Sequence, residues 1–116
     1  MIEFKKTTEF QRSYKRLEKK FPSLKEDFTK LAASLMGNPN QGVLMADNFR
    51  KIRLAIKSKG KGKRGSARVI TINCLTAELD GTVSFIAIYD KNDMESVSIK
   101  ELRRIWESEK ERLMRQ

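Results

Sequence analysis

The chain has 116 residues, 39% of them hydrophobic and 34% charged, with a formal net charge of +10, one cysteine and no histidine. That length allows one domain with a core of modest size. Without histidine the usual general acid/base and the commonest metal ligand are missing, and a lone Cys74 supports neither an intrachain disulfide nor a zinc site. No stretch approaches the roughly 18 apolar residues of a membrane span, and the N-terminal MIEFKKTTEF lacks an apolar leader core. A single cytoplasmic domain over residues 1–116 is expected, with no metal, no cofactor and no membrane partner.

In chain order, Ile2 and Phe4 mark a short strand over residues 1–6. Thr8-x-x-Gln11 reads as a capping box, and Phe10, Tyr14, Leu17 and Phe21 follow at helical spacing, which predicts an amphipathic helix over residues 8–20 stopped by Pro22. Ser23-x-x-Glu26 opens a second helix over residues 23–36. Leu24, Phe28, Leu31, Ala32 and Leu35 form its buried stripe, and Gly37-Asn38-Pro39 ends it. The two helices form a hairpin, and residues 38–48 read as a loop.

The charge then changes character. Between Asp47 and Glu78 no residue is acidic and nine are basic: Arg50, Lys51, Arg53, Lys57, Lys59, Lys61, Lys63, Arg64 and Arg68. This stretch carries +9, against +3 for residues 1–47 and −2 for residues 78–116. A fold that gathers such a cluster repels itself unless an anion is its usual neighbour, so a polyanion is the expected partner.

Residues 49–56 alternate, with Ile52, Leu54 and Ile56 on one side of a strand and Lys51 and Arg53 on the other. Residues 57–65 form a glycine-rich loop, and the β-branched run around Val69–Ile72 within residues 66–75 returns as a second strand that brings Arg68 toward Lys51 and Arg53. Gly60, Gly62 and Gly65 spell G-x-G-x-x-G, with Asp80 twenty residues after Gly60. A dinucleotide fingerprint needs a helix after the last glycine, however, and strand formers stand there; a P-loop needs Lys-Ser/Thr, and Ser66 stands there.

Asp80-Gly81 is a two-residue turn signal, and Thr82–Asp90 is the last strand, with Ile86 and Ile88 on one face and Phe85, Ala87, Tyr89 and Lys91 on the other. Ser98-x-x-Glu101 caps a C-terminal helix whose stripe is Ile99, Leu102, Ile105, Trp106 and Leu113. Trp106 lies on that stripe and so reads as core or interface, and Cys74 as a buried structural thiol. The order is βααβββα. It describes an α+β, two-layer domain whose antiparallel sheet (strands near 1–6, 49–57, 66–75 and 82–90) is covered on one face by the helical hairpin.

The run GKGKRGSARVI, the segment Tyr89-Asp90-Lys91-Asn92 and the element order together resemble the RelE/ParE superfamily of bacterial toxins, most of all its HigB branch. Ser66 replaces the second glycine of that branch, Asp93 stands where it often has glutamate, and Thr71 and Asn73 stand where it often has aromatics. The resemblance implies a RelE-like fold and the toxin of a type II toxin–antitoxin system. Such a toxin is a ribosome-dependent endoribonuclease that cleaves translated mRNA without a metal. Its partners are the translating ribosome with its mRNA and a cognate antitoxin, expected to be a helix-turn-helix protein. Carried over by position, the catalytic set falls on Lys51, Arg53, Arg68, Tyr89 and Lys91, and the loop cations Lys57, Lys59, Lys61, Lys63 and Arg64 are expected to contact ribosomal RNA. Fold alone does not settle the target. A ParE-like inhibitor of DNA gyrase and a non-catalytic ribosome- or RNA-binding module are the alternatives.

RNA carries its own nucleophile, the 2′-hydroxyl. Cleavage then needs a base for its proton, cations for the phosphorane and an acid for the leaving 5′-oxygen. Arg53 and Arg68 suit the phosphorane, since the guanidinium fork matches its oxygens. Lys51 or Lys91 is the candidate for moving the proton, and Tyr89 for stacking on a base or holding the phosphate.

Overall fold

The chain begins as a strand because its first residues alternate, and the partner of that strand lies far away in sequence. The structure is a computed structural model that describes residues 2–59, 65–74, 81–93 and 97–115. Its elements are β1 (Glu3–Lys6), α1 (Thr8–Lys20), α2 (Leu24–Gly37), β2 (Val43–Leu44), β3 (Phe49–Ala55), β4 (Ser66–Cys74), β5 (Thr82–Asp90) and α3 (Ile99–Met114). They build an α+β structure around one five-stranded sheet of order β1-β5-β4-β3-β2. The turn expected at Asp80-Gly81 begins outside the described residues, as do the loop residues 60–64.

Three of the four strand pairings are antiparallel, and β1 runs parallel to β5, with Glu3 opposite Thr82 and Lys6 opposite Phe85. The expectation of a wholly antiparallel sheet is therefore corrected. The helical hairpin lies between β1 and the rest of the sheet, and a connection of that length carries the chain across rather than turning it straight back. The loop expected over residues 38–48 also holds β2, a two-residue edge strand paired with Lys51 and Arg50.

Helix ends follow from local chemistry, with one shift. The cap of α1 is Thr7 and not Thr8: its hydroxyl accepts from the Phe10 N–H at 2.9 Å and donates to the Ile86 carbonyl at 2.8 Å. A tertiary partner thus selects the first of two adjacent threonines. Ser98 caps α3 as expected, accepting from the Glu101 N–H at 3.1 Å. Ser23 precedes α2 without a capping bond to the helix backbone; its hydroxyl donates to the buried Asp27 carboxylate and accepts from the Ser58 N–H instead. That exchange fastens the start of α2 to the turn after β3.

The helical hairpin covers one face of the sheet. Phe10, Leu17, Leu24, Phe28, Leu31 and Leu35 pack on Ile52, Leu54, Ile56, Val69, Phe85 and Ile88. At the centre the Phe85 ring lies 4.9 Å from Phe28 and 5.4 Å from Phe10. Burial of a phenylalanine on this scale contributes about 2–3 kcal/mol. α3 lies on the second face, where Leu102 and Ile105 join Phe49, Ile70, Ile72, Ile86, Ala87 and Tyr89, with Trp106 half-buried beside them.

The parity expected in β5 holds only in part. Ile70 pairs with Ala87 while Thr71 pairs with Phe85, so Ile86 is an extra residue, a β-bulge. Ile86 and Ala87 consequently share the α3 face with Tyr89, and Ile88 joins Phe85 on the hairpin face. Cys74, expected to be buried, is half-exposed at the end of β4. Among the described residues no helix is long and apolar enough to cross a membrane.

Candidate nucleic-acid interface

Alternation in β3 turns Lys51 and Arg53 away from the hairpin, because Ile52, Leu54 and Ile56 are buried against it. Register does the rest. Arg53 lies directly opposite Arg68 on β4, and Arg68 directly opposite Tyr89 on β5, so the three form one row across the sheet. The next row is Lys51, Ile70 and Ala87. α3 covers the apolar part of this face. Arg53 stays exposed, and Lys51 and Arg68 are half-buried. Like charges directly opposite one another on adjacent strands destabilise a sheet, by roughly 0.2–1 kcal/mol. Two opposed arginines are an arrangement that an anion between them would relieve.

Arg68 is held in place. Its Nη1 donates to the Ser66 hydroxyl at 2.8 Å and to the Ala67 carbonyl at 3.2 Å. Ser66 is fully buried and stands two residues before Arg68, on the same side of the strand, so it orients the guanidinium. Isoleucines 70 and 72 share this parity and are buried under α3, whereas Arg68 sits beyond the covered part.

Tyr89 is 7% exposed, so its ring is not open for stacking on a base. Burial raises the phenol above its ordinary range; the Arg68 charge and the nearby Val97 backbone oppose this without reversing it. Among the described residues the hydroxyl makes no complete hydrogen bond, although the Val97 backbone approaches it. At neutral pH Tyr89 is therefore a phenol, able to donate a hydrogen bond. Lys91 begins the turn that follows β5, half-buried, in a corner closed by the Asn92 N–H on the Asp90 carboxylate and the Asp93 N–H on the Asp90 carbonyl. It shares the end of β5 with Tyr89, but among the described residues no bond ties it to the arginine row.

The loop cations divide. Lys57 is exposed. Lys59 is not available to an outside phosphate: its side chain is 5% exposed, pairs with the buried Asp90 carboxylate, lies 3.3 Å from the Ser66 carbonyl and covers the Phe21 ring at 5.1 Å. Here the expected RNA contact is corrected to an internal anchor. Burial works to raise the Asp90 carboxyl, but hydrogen bonds from Lys59 and the Asn92 N–H, with the charges of Lys59 and Lys20, outweigh it and hold the group below the usual carboxylate range. Lys61, Lys63 and Arg64 lie outside the described residues.

Two functional supports were missed by sequence reasoning. Ser66 had a signal, its i,i+2 spacing from Arg68; Asp90 had none beyond being the one acid in a strand of apolar and hydroxyl residues. A cleft of about 410 Å³ lies on the other side of Tyr89, between α1, the end of β5 and α3. It is lined by Glu9, Asp90, Asp93 and Glu101 as well as Arg16, and by neither Arg53 nor Arg68, so it is unsuited to a phosphate and separate from the basic row. Among the described residues no group of three or more acidic or cysteine side chains is placed to hold a metal ion.

Compared with known proteins, the chain matches no protein-family model and no curated protein.

Proposed function

We propose that the chain is a RelE-like toxin of the HigB kind, an endoribonuclease that cuts mRNA on the translating ribosome and is held in check by a helix-turn-helix antitoxin. The observation that carries this reading is the row Arg53–Arg68–Tyr89, whose two arginines lie beyond the part of the sheet that α3 covers, with Lys51 in the next row on the same face. The resemblance of GKGKRGSARVI and Tyr89-Asp90-Lys91-Asn92 to that branch, and the βααβββα order with β2 as a short addition, support the same reading.

The chemistry uses the substrate's own nucleophile. The 2′-hydroxyl attacks the adjacent phosphorus as its proton passes to a base; the P–O5′ bond breaks, the 5′-oxygen takes up a proton, and a 2′,3′-cyclic phosphate remains. Arg53 and Arg68 flank the phosphorane and stabilise its added charge. Tyr89, its ring and hydroxyl buried beside Arg68, supports the row from beneath in place of the stacking role expected for it. Lys51 or Lys91 handles the proton. General acid/base assistance contributes on the order of 10²–10⁴-fold, and the ribosome supplies the alignment of the mRNA.

The test is expression of the wild type, Arg68→Ala and Lys91→Ala, with mapping of new mRNA 5′ ends on translating ribosomes. Cleavage by the wild type, reduced at least 100-fold in Arg68→Ala with ribosome binding kept, is the expected result. Wild-type cleavage that survives unchanged in either variant removes that residue from the mechanism. Intact mRNA with the wild type removes the endonuclease, and a gyrase inhibitor or a non-catalytic binding module takes its place.

A further inference from the structure

The sheet ends in two edges of opposite character. β1 carries the exposed Glu3 and Lys6, charges of the kind that deter the addition of another strand. β2, at the other edge, carries no charge and no proline, and its two residues are open: Val43 is 68% and Leu44 57% exposed. With Met36 at the end of α2 they are the exposed large hydrophobics among the described residues.

This edge is built, not loose. Gly42 leads into it at φ +98°, and a Cβ there would sit 2.5 Å from the Lys51 carbonyl oxygen and 2.8 Å from the Ile52 side chain. Only glycine lets the chain lie that close to β3. After β2 the Met45 N–H donates to the Phe49 carbonyl at 2.7 Å, Asp47 and Asn48 hold left-handed φ values of 60° and 68°, and Arg103 of α3 clamps the Asp47 carboxylate. Two apolar side chains are thereby held on an outer edge whose backbone has no strand beyond it among the described residues.

Charge identifies the occupant. Val43 lies opposite Lys51 and Leu44 opposite Arg50. A second copy of this chain would bring the same cations together on a molecule of net charge +10. We propose that the outer edge of β2 receives an extended segment of a partner protein in which apolar and acidic side chains alternate, added to the sheet as a further strand. Its backbone pairs with that of β2; because successive residues face opposite sides of the sheet, its apolar side chains cover Leu44 on one face, and its carboxylates on the other reach past Val43 toward Lys51, two strand spacings or about 10 Å away. The inference needs no catalysis, so it stands or falls separately from the RNA reading.

The probe is an acetylated, amidated ten-residue peptide of alternating valine and glutamate, compared with the same peptide N-methylated at alternate residues and with a valine–lysine peptide. Backbone amide NMR and titration calorimetry read the result. Expected are shifts centred on residues 41–45, binding at least 10-fold weaker for the N-methylated peptide, and no binding of the lysine peptide. Leu44→Asp, at an exposed position, should weaken the glutamate peptide at least 5-fold. Equal binding of the N-methylated peptide, or shifts centred on Arg53 and Arg68, would reduce the effect to ion exchange on the basic face and overturn the proposal. Binding of the lysine peptide at similar strength overturns the acidic specificity. A concentration-dependent dimer in sedimentation that Leu44→Asp abolishes assigns the edge to a second copy and overturns the partner.

Discussion

The two faces of the sheet come from the same strands and differ in what they bury. On the hairpin face β1, β3, β4 and β5 contribute apolar residues to a closed layer of aromatic and aliphatic side chains. On the other face α3 seals Phe49, Ile70, Ile72, Ile86, Ala87 and Tyr89, and beyond them the face holds Lys51, Arg53 and Arg68. One face is organised for stability, and the other gives up some stability to hold like charges in register. Alternation in one strand, β3, is enough to separate the residues that close the core from the cations that stay outside it.

The comparison can be broken most forcefully at its dry side. Phe85→Ala, at the centre of the hairpin face, should destabilise by about 3–5 kcal/mol in urea unfolding. A loss under 1 kcal/mol would mean that this face is not the closed layer described.

The next largest effect concerns the anchor that joins the two faces at the end of β5. Lys59→Met leaves the buried Asp90 carboxylate with Lys20, 3.8 Å away, as its remaining cation, and should cost about 3 kcal/mol. The same pair predicts an acid limb. The folded-state pKa of Asp90 lies below its unfolded value of about 3.9, so its contribution is complete above that value and is lost as pH falls through the folded pKa. Stability measured between pH 6 and pH 2 should therefore fall less steeply for Asp90→Asn than for the wild type below about pH 4; parallel curves would refute the linkage.

Ser98→Ala should cost about 1 kcal/mol, through the lost cap of α3. The cost should fall on the second face alone, seen as faster amide exchange in α3 with α1 unaffected. Equal acceleration in both helices would show that the two layers unfold as one.

The smallest effect has the opposite sign. Arg68→Gln relieves the charge opposite Arg53 and should stabilise the protein by about 0.2–1 kcal/mol at low salt, while removing the stabilisation that added phosphate gives the wild type. Destabilisation by this change would mean that Arg68 serves the fold and not an anion.

Much of this was legible in the amino-acid order. The helical hairpin expected over 8–20 and 23–36, the C-terminal helix, four of the five strands and the facing of β3 follow from periodicity and capping residues. The row Arg53–Arg68–Tyr89 was legible as residues but not as a row, because register is a property of the pairing. The bulge at Ile86 was hidden for a related reason: Phe85, Ile86, Ala87, Ile88 and Tyr89 are all apolar enough for either face, so alternation carries no parity there. Lys59 looked like its loop neighbours, since nothing local announces that Asp90, thirty-one residues later, will take its charge. The direction of β1 was illegible too, because four residues of strand read the same in a parallel or an antiparallel pair.

The Lys5 side chain, buried under the sheet's first strand, donates to the backbone carbonyl of Leu113, and the Thr8 N–H donates to Glu109. Both bonds join the opening residues of the chain to α3 across sequence separations of more than a hundred. Since β1 also waits for β5, the first strand emerges long before anything that can hold it. Such a topology folds late and cooperatively. During synthesis the first strand therefore stays without its full set of partners until α3, with Leu113, is available to it.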